Sequence, residues 1–258
     1  MNLELKLLLG QIKVQHLKQL LNIANQIRKD TETNCNVDDI ERYITRFNSW
    51  LREPPIPSRP IWEAAMFESS VIAHASFFLA IHGFYEEACS LIRGIIDGFL
   101  TRLYFDEKDR SEKLKKWQQN NGRSTNEYWE WESGCTNEYP KYEEIRNLLG
   151  VKSLIKKYDE KYCLWNDRKK LISKLNKFVH GRPETRHYDF ATRSSSNITE
   201  FKKKHFDEWF EYLKFVYRII SIFSLLQYKE LFNSNHGKEF KGLEPETYKR
   251  IENILITI

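Results

Sequence analysis

The residues of this chain best suited to acid–base chemistry lie at the end of one predicted helix. Residues 171–181 have apolar side chains at helical spacing, and the stretch closes with His180 directly before Gly181. Histidine is the side chain whose ordinary pKa lies nearest neutral pH, so His180 is the candidate general acid or base. An imidazolium also stabilises the C-terminus of a helix, and that structural role is the alternative to a catalytic one.

Positive charge is concentrated around His180. Residues 168–204 contain eleven lysines and arginines against three carboxylates, whereas the whole chain has a net charge of +5. A local excess of this kind favours RNA or another phosphate-bearing ligand, and a solvated lysine face is the alternative. The candidate RNA-binding residues are the basic side chains near the histidine: Lys169, Lys170, Lys177, Arg182 and Arg186.

A second polar pair lies on the predicted helix over residues 84–105. Arg93 and Asp97 are four residues apart, opposite an apolar face. On an exposed helix they would form an ordinary surface ion pair. This helix belongs to the most apolar hairpin of the chain, and burial on two sides would instead make Arg93 and Asp97 a paired polar site within a pocket.

Helical periodicity covers most of the chain, so we predict an all-α fold without β-strands. Asn36 or a neighbour is the expected cap of the second helix, Pro60 the expected start of the third, and Gly83 its end. The third helix is almost wholly apolar, so we expect it at the centre of the fold. The predicted helices cover residues 2–29, 36–52, 61–81, 84–105, 109–119, 140–149, 151–158, 164–179, about 197–232 and 245–255.

Composition suggests an N-terminal part and a bundle. Residues 1–59 are predicted to be a helical extension with a proline-rich connector, and residues 60–258 a helical bundle with a polar, aromatic insertion near residues 109–160. The aromatic side chains in and beside this insertion suit an interface with another protein, base stacking on single-stranded RNA, or packing of a lid on the bundle. They are Trp117, Tyr128, Trp129, Trp131 and Tyr139.

Several classes of site are excluded by motif. The sequence contains no glycine-rich phosphate loop, no HExxH and no GxSxG. Its four cysteines are widely spread with no Cys/His cluster, which favours reduced thiols over zinc or disulfides. We find no apolar run of the roughly 18–20 residues that a membrane span needs, and interpret the N-terminus as mature structure. We therefore expect a cytoplasmic protein with no cofactor, metal or membrane.

Two stretches together resemble HEPN-like helical proteins of prokaryotic defence and toxin systems. They are residues 88–104, which contain Arg93 and Asp97, and residues 171–181, which close on His180-Gly181. The resemblance covers about residues 61–230. It implies a bundle of four to five helices, a homodimer, and a metal-independent ribonuclease of antiviral or toxin-type defence.

The family motif is an arginine followed four to six residues later by a histidine, often written Arg-Asn-x-x-x-His. The resemblance assigns the motif histidine to His180 and the motif asparagine to Asn176. The position before the asparagine holds Leu175, so the motif's positive charge would come from Lys174 or Arg93.

The reaction implied by the resemblance is RNA cleavage through the 2′-hydroxyl. His180 would be the general acid or base, a cation would stabilise the charged phosphorane, and Asp97 would orient Arg93 or the histidine. A non-catalytic relative that binds RNA, a nucleotide or a partner protein of a defence complex is the alternative. A helical interaction subunit without such a site is a third interpretation.

Overall fold

The computed structural model describes residues 3–48, 60–119, 131–132, 139–179 and 201–256, with side chains described for these ranges except residues 3–17, 20, 60 and 109–119. Within these ranges the chain is all-helical and has no β-strand, as predicted. The helices are α1 Leu3–Asn34, α2 Val37–Arg46, α3 Pro60–Ile81, α4 Tyr85–Gln119, α5 Tyr142–Gly150, α6 Ser153–Tyr162, α7 Leu164–Val179, α8 Lys203–Gln227, a 3₁₀ turn Lys229–Asn233, α9 Asn235–Leu243 and α10 Pro245–Ile256.

The predicted helix boundaries that depend on local chemistry are confirmed. The Asn36 side chain accepts a hydrogen bond from the backbone N–H of Asp39 at 3.3 Å and caps α2. Pro60 begins α3. Gly83 follows α3 with φ of +86°, the left-handed conformation that ends a helix. These residues fix where α2 and α3 begin and where α3 ends before α4.

Several predicted boundaries are wrong. Helix α1 ends at Asn34 and not at residue 29, α2 ends at Arg46 and not at residue 52, and α8 begins at Lys203 and not near residue 197. Residues 84–105 and 109–119 are parts of one 35-residue helix, α4, because no glycine or proline interrupts the chain between them. The helix predicted to run to about residue 232 ends at Gln227 and gives way to the 3₁₀ turn, and α9 was not predicted. Ser234 starts α9, since its side chain accepts from the N–H of Gly237 at 3.4 Å.

Helix α4, and not the more apolar α3, lies at the centre of the fold. It packs against α3, α5, α7 and α8. Helix α8 is buried on all sides over residues 219–226. Helix α3 instead keeps one side in solvent, where Phe67, Val71 and Phe78 are 57%, 52% and 59% exposed. Apolar composition alone therefore does not decide which helix is central.

Helix α3 is a candidate membrane span that the sequence analysis did not identify. The stretch Ile61–Ile81 has a mean hydropathy of 1.5 and is long and apolar enough to cross a membrane by composition. Only 39% of it is buried in the bundle. The core helix of a globular protein meets the same criteria, so this property alone distinguishes neither setting.

Polar contacts inside the core hold α3 in register with α8. The indole N–H of Trp209 donates to the Ser76 hydroxyl at 2.8 Å, and the Ser76 hydroxyl donates to the carbonyl of Ala88 at 2.8 Å. One end of α3 is joined in the same way, because the indole N–H of Trp62 donates to the Ser224 hydroxyl at 3.1 Å. Each of these buried donors thus has an acceptor.

The N-terminal helix α2 and the helices of the predicted insertion share the main core. Ile40 and Ile44 of α2 belong to it, and so do Ile145 of α5 and Ile155 of α6. Trp131 and Glu132 contact α4, where Arg102 lies over the Trp131 ring at 5.2 Å and donates to the Glu132 carboxylate at 3.2 Å. The side chains of Trp117, Tyr128 and Trp129 lie outside the described residues.

Candidate functional site

A pocket of about 860 Å³ opens between α4, α5 and α7. Helix α4 contributes Arg93 and Asp97 to its wall, and α7 contributes Arg168 and Asn176. Tyr139, just before α5, lies at the same pocket. The volume falls in the range of pockets that bind small organic ligands. The two helices singled out by sequence therefore line one pocket.

The centre of the pocket is a carboxylate shared by two guanidinium groups. Arg93 Nε lies 3.1 Å from Asp97 Oδ2, and Arg168 Nη2 lies 3.1 Å from Asp97 Oδ1. The Arg168 side chain is 9% exposed, that of Arg93 24% and that of Asp97 41%. One carboxylate cannot neutralise two guanidinium groups. This cluster has a surplus positive charge that an anion can meet.

Aromatic packing fixes the Arg168 guanidinium. Its central carbon lies 4.2 Å from the centre of the Tyr142 ring, a cation–π contact. The Tyr142 ring in turn meets Trp165 edge-on, with ring centres 6.0 Å apart. Since Asp97 and Tyr142 hold Arg168 from two directions, the guanidinium is pre-oriented before any ligand binds.

Two further cations lie at the pocket and pair with no carboxylate among the described residues. Arg146 of α5 and Lys169 of α7 are exposed, line the pocket and form no ion pair with any described residue. Glu143 is the second carboxylate in the wall. Among the described residues, the wall therefore holds four cations and two carboxylates, and their charge favours an anionic ligand.

The structure brings together some of the predicted site residues. Arg93, Asp97, Asn176 and Lys169 all line the pocket. Arg93 and Asp97 form the predicted ion pair, and the pair is half-buried in the pocket and not on an open helix face.

The other predicted residues lie elsewhere. Lys170 is exposed and pairs with Asp167 at 3.6 Å, while Lys174 and Lys177 are exposed and do not line the pocket. His180, Arg182 and Arg186 lie outside the described residues. Leu175, at the expected position of the motif arginine, is fully buried in the main core.

Sequence reasoning missed Arg168. The signal was its spacing: residues 168, 172 and 176 follow one another at intervals of four, which places them on one face of α7. The next residue of that series is His180. A basic residue in a highly charged segment gives no other sign in the sequence that it will be buried.

The described part of the chain contains no cluster of three or more histidine, cysteine, aspartate or glutamate side chains that could hold a metal ion. Comparison of the chain with family models, with curated proteins and with solved structures found no match in any of the three. Function must therefore be inferred from the pocket itself.

Proposed function

We propose that this chain binds the phosphate backbone of RNA in the pocket between α4, α5 and α7 and cleaves it without a metal ion. His180 is the proposed general acid or base, and the setting is a cytoplasmic, antiviral or toxin-type prokaryotic defence system of the HEPN-like kind. The observation that carries the proposal is the shared carboxylate, with Arg93 and Arg168 each 3.1 Å from Asp97.

The pocket supplies the electrostatic part of the proposed reaction. Guanidinium groups bind phosphate oxygens through two parallel N–H donors, and Arg93 is exposed enough to reach a ligand. A phosphorane has more negative charge than the phosphodiester from which it forms. Fixed cations beside it therefore stabilise the transition state more than the ground state. Arg168 takes the part that the sequence left to Lys174 or Arg93.

In the proposed chemistry His180 removes the proton of a 2′-hydroxyl group. The 2′-oxygen then attacks the neighbouring phosphorus, and the bond from phosphorus to the 5′-oxygen of the next nucleotide breaks. The leaving oxygen takes up a proton, so the products end in a 2′,3′-cyclic phosphate and a 5′-hydroxyl. His180 follows Asn176 of the pocket wall by four residues, one helical turn in sequence.

The second candidate function is RNA or nucleotide binding without cleavage, as part of a defence complex. Leu175 favours it, because this side chain is fully buried and the motif arginine has no counterpart there. In that case the pocket cations would hold the backbone and His180 would only stabilise the end of its helix.

The test is an incubation of the purified chain with labelled single-stranded RNA in EDTA, comparing the wild type with His180→Ala. We expect the wild type to cleave and the variant to lose at least about a hundredfold in rate, the usual contribution of a general acid or base. His82→Ala is the matched control, since His82 also directly precedes a glycine at the predicted end of a helix and does not line the pocket.

Three results separate the candidates. Cleavage that His180→Ala abolishes and His82→Ala leaves intact supports the ribonuclease. Binding that weakens with added salt, without any cleavage, supports the non-catalytic alternative. Neither binding nor cleavage of RNA contradicts both and favours a protein-interaction subunit.

A further inference from the structure

The pocket has more room and more kinds of surface than a phosphate group needs. A phosphate is satisfied by a few donors at one point, whereas this cavity of about 860 Å³ extends from the paired arginines to an aromatic wall. Ligand pockets of this size enclose whole organic molecules, with a few polar groups that fix the orientation. Its occupant should therefore contain an organic part as well as an anion.

The aromatic wall exposes one ring to the ligand. Tyr139 is 71% exposed, and the edge-on ring of Trp131 supports it at a centre-to-centre distance of 5.7 Å. Pro140 follows it in the pocket wall. A ring that is open on one side and supported on another is what stacking of a planar base requires.

Three buried polar atoms of the pocket residues have no hydrogen-bond partner. Two are donors, Arg168 Nε and Trp165 Nε1, and one is an acceptor, Asn176 Oδ1. Leaving such atoms unpaired is costly, and native proteins seldom do so without a reason. A bound ligand that pairs with them would be that reason.

The acceptor at Asn176 distinguishes between ligands. A phosphodiester offers only acceptor oxygens, so it can meet the two donors but not Asn176 Oδ1. A nucleobase offers both N–H donors and ring acceptors along its edge, and an asparagine amide is a frequent partner of such an edge. A ligand that pairs with Asn176 Oδ1 therefore needs a donor group in addition to its phosphate.

We infer that the pocket takes one unpaired nucleotide, with its phosphate at Arg93 and Arg168, its base on Tyr139 and the edge of the base at Asn176. This inference deepens the proposed function, on which it rests for RNA as the source of the nucleotide. It makes single-stranded RNA the substrate class, because a paired base has its edge and faces covered.

The experiment is calorimetric titration of the intact chain with nucleoside 5′-monophosphates, ribose 5-phosphate and inorganic phosphate at one fixed, low salt concentration. We expect at least one nucleotide to bind about tenfold or more tightly than ribose 5-phosphate, which carries the phosphate and sugar but lacks the base. Ribose 5-phosphate also tests whether a sugar hydroxyl alone satisfies Asn176.

Substitutions of Tyr139 and Asn176 test whether these two residues cause the preference for a nucleotide over ribose 5-phosphate. Tyr139→Ala should weaken nucleotide binding by about five- to a hundredfold and leave ribose 5-phosphate unaffected, whereas Tyr139→Phe, which keeps the ring, should stay within about twofold of the wild type. Asn176→Ala should reduce the preference among bases. Asn147→Ala is its control, since Asn147 is exposed on the neighbouring helix α5 and does not line the pocket.

Equal binding of nucleotide and ribose 5-phosphate overturns the inference, and so does an absence of nucleotide binding in a chain that still binds RNA. These outcomes are independent of the cleavage assay. If the chain cuts RNA but does not prefer nucleotides, only the proposed base site is contradicted. If it prefers nucleotides but cuts nothing in EDTA, only the proposed ribonuclease activity is contradicted.

Discussion

At the scale of single residues, the site depends on one carboxylate. Asp97 holds Arg168 of a different helix and Arg93 of its own, at 3.1 Å in both cases. The Arg168 side chain is 9% exposed, so losing Asp97 would leave an almost buried guanidinium without its counter-charge, which is strongly destabilising. Asp97 is thus a positioning residue for Arg168 as well as the link between α4 and α7.

Leu175 shows why the missing motif arginine cannot be restored simply. Its side chain is fully buried within the main core, where an arginine would have to lose its hydration. A guanidinium that acts in this pocket must come from a residue that faces it, and Arg168, seven positions earlier on α7, does so. Arg168 therefore supplies the positive charge from a different position of α7 than the one the motif predicts.

His236 predicts how stability depends on pH. It is fully buried, and burial lowers its pKa from 6.5 to about 4. The unfolded chain therefore binds this proton below pH 6.5, while the folded chain binds it only below about 4. Stability from this group is full above pH 6.5 and falls as the pH drops towards 4, by about 3 kcal/mol in total.

The measurement is the free energy of unfolding in urea at several values between pH 7.5 and pH 4. In His236→Phe, which keeps an aromatic ring against Trp62, the loss between these values should be smaller than in the wild type by about that amount. Carboxylates titrate in both proteins and cancel in the comparison. Parallel pH profiles for the two proteins would contradict the prediction.

At the scale of helices, we expect the substitution of glycine by alanine to change stability in opposite directions at two positions. Gly83 has φ of +86°, and a Cβ there would lie 3.1 Å from Ile27 Cδ1. Gly83→Ala should destabilise the fold by about 1–2 kcal/mol, the cost of a left-handed conformation for a residue with a Cβ. Gly94 lies inside α4, where a Cβ would meet no neighbouring atom within 4 Å, so Gly94→Ala should stabilise by roughly 0.5–1 kcal/mol.

Urea denaturation of the two variants beside the wild type measures both changes. Each protein serves as the control for the other, because the substitution is identical and only the backbone conformation and surroundings differ. A shift of the two midpoints in the same direction would contradict the assignment of Gly83 as the end of α3 and Gly94 as an open helix position.

What the sequence predicted well was set by local chemistry. Asn36, Pro60 and Gly83 fix helix ends through a side-chain cap, a ring and a positive φ, and all three depend on neighbours in the sequence. The bounds of α7 and the pair of Arg93 with Asp97 follow from helical spacing in the same way.

What the sequence did not predict depends on tertiary packing. Arg168 is buried by contacts with Asp97 and Tyr142, and both of these residues lie in other parts of the chain. Its own neighbours in sequence, Lys169 and Lys170, are exposed. The exposed side of α3 was missed for the same reason, because the sequence of an apolar helix does not show how many of its faces pack against other helices. Residues on both sides of the pocket could be predicted from the sequence, but the contact between Arg168 and Asp97 could not.

At the scale of the whole molecule, the exposed side of α3 is self-complementary. Phe67, Val71, His74 and Phe78 are exposed along one side of this helix, at intervals of four, three and four residues. The spacing is the same when read from either end. An antiparallel pairing of two copies about the middle of the stripe would place Phe67 against Phe78 and Val71 against His74, as the symmetry of a two-fold dimer requires.

The homodimer expected from the sequence is therefore predicted to form through α3. Light scattering should give twice the chain mass of 31.0 kDa for the wild type, and one chain mass for Phe67→Glu, because the substitution would bury two carboxylates, one from each copy, in the dimer interface. Leu21→Glu is the matched control, since Leu21 is a similarly exposed apolar side chain on α1, at 55%, and should leave the dimer intact. A monomeric wild type, or a dimer that survives Phe67→Glu, contradicts the interface. Flotation of the wild type with phospholipid vesicles would instead assign this side of α3 to a membrane, which its mean hydropathy of 1.5 permits.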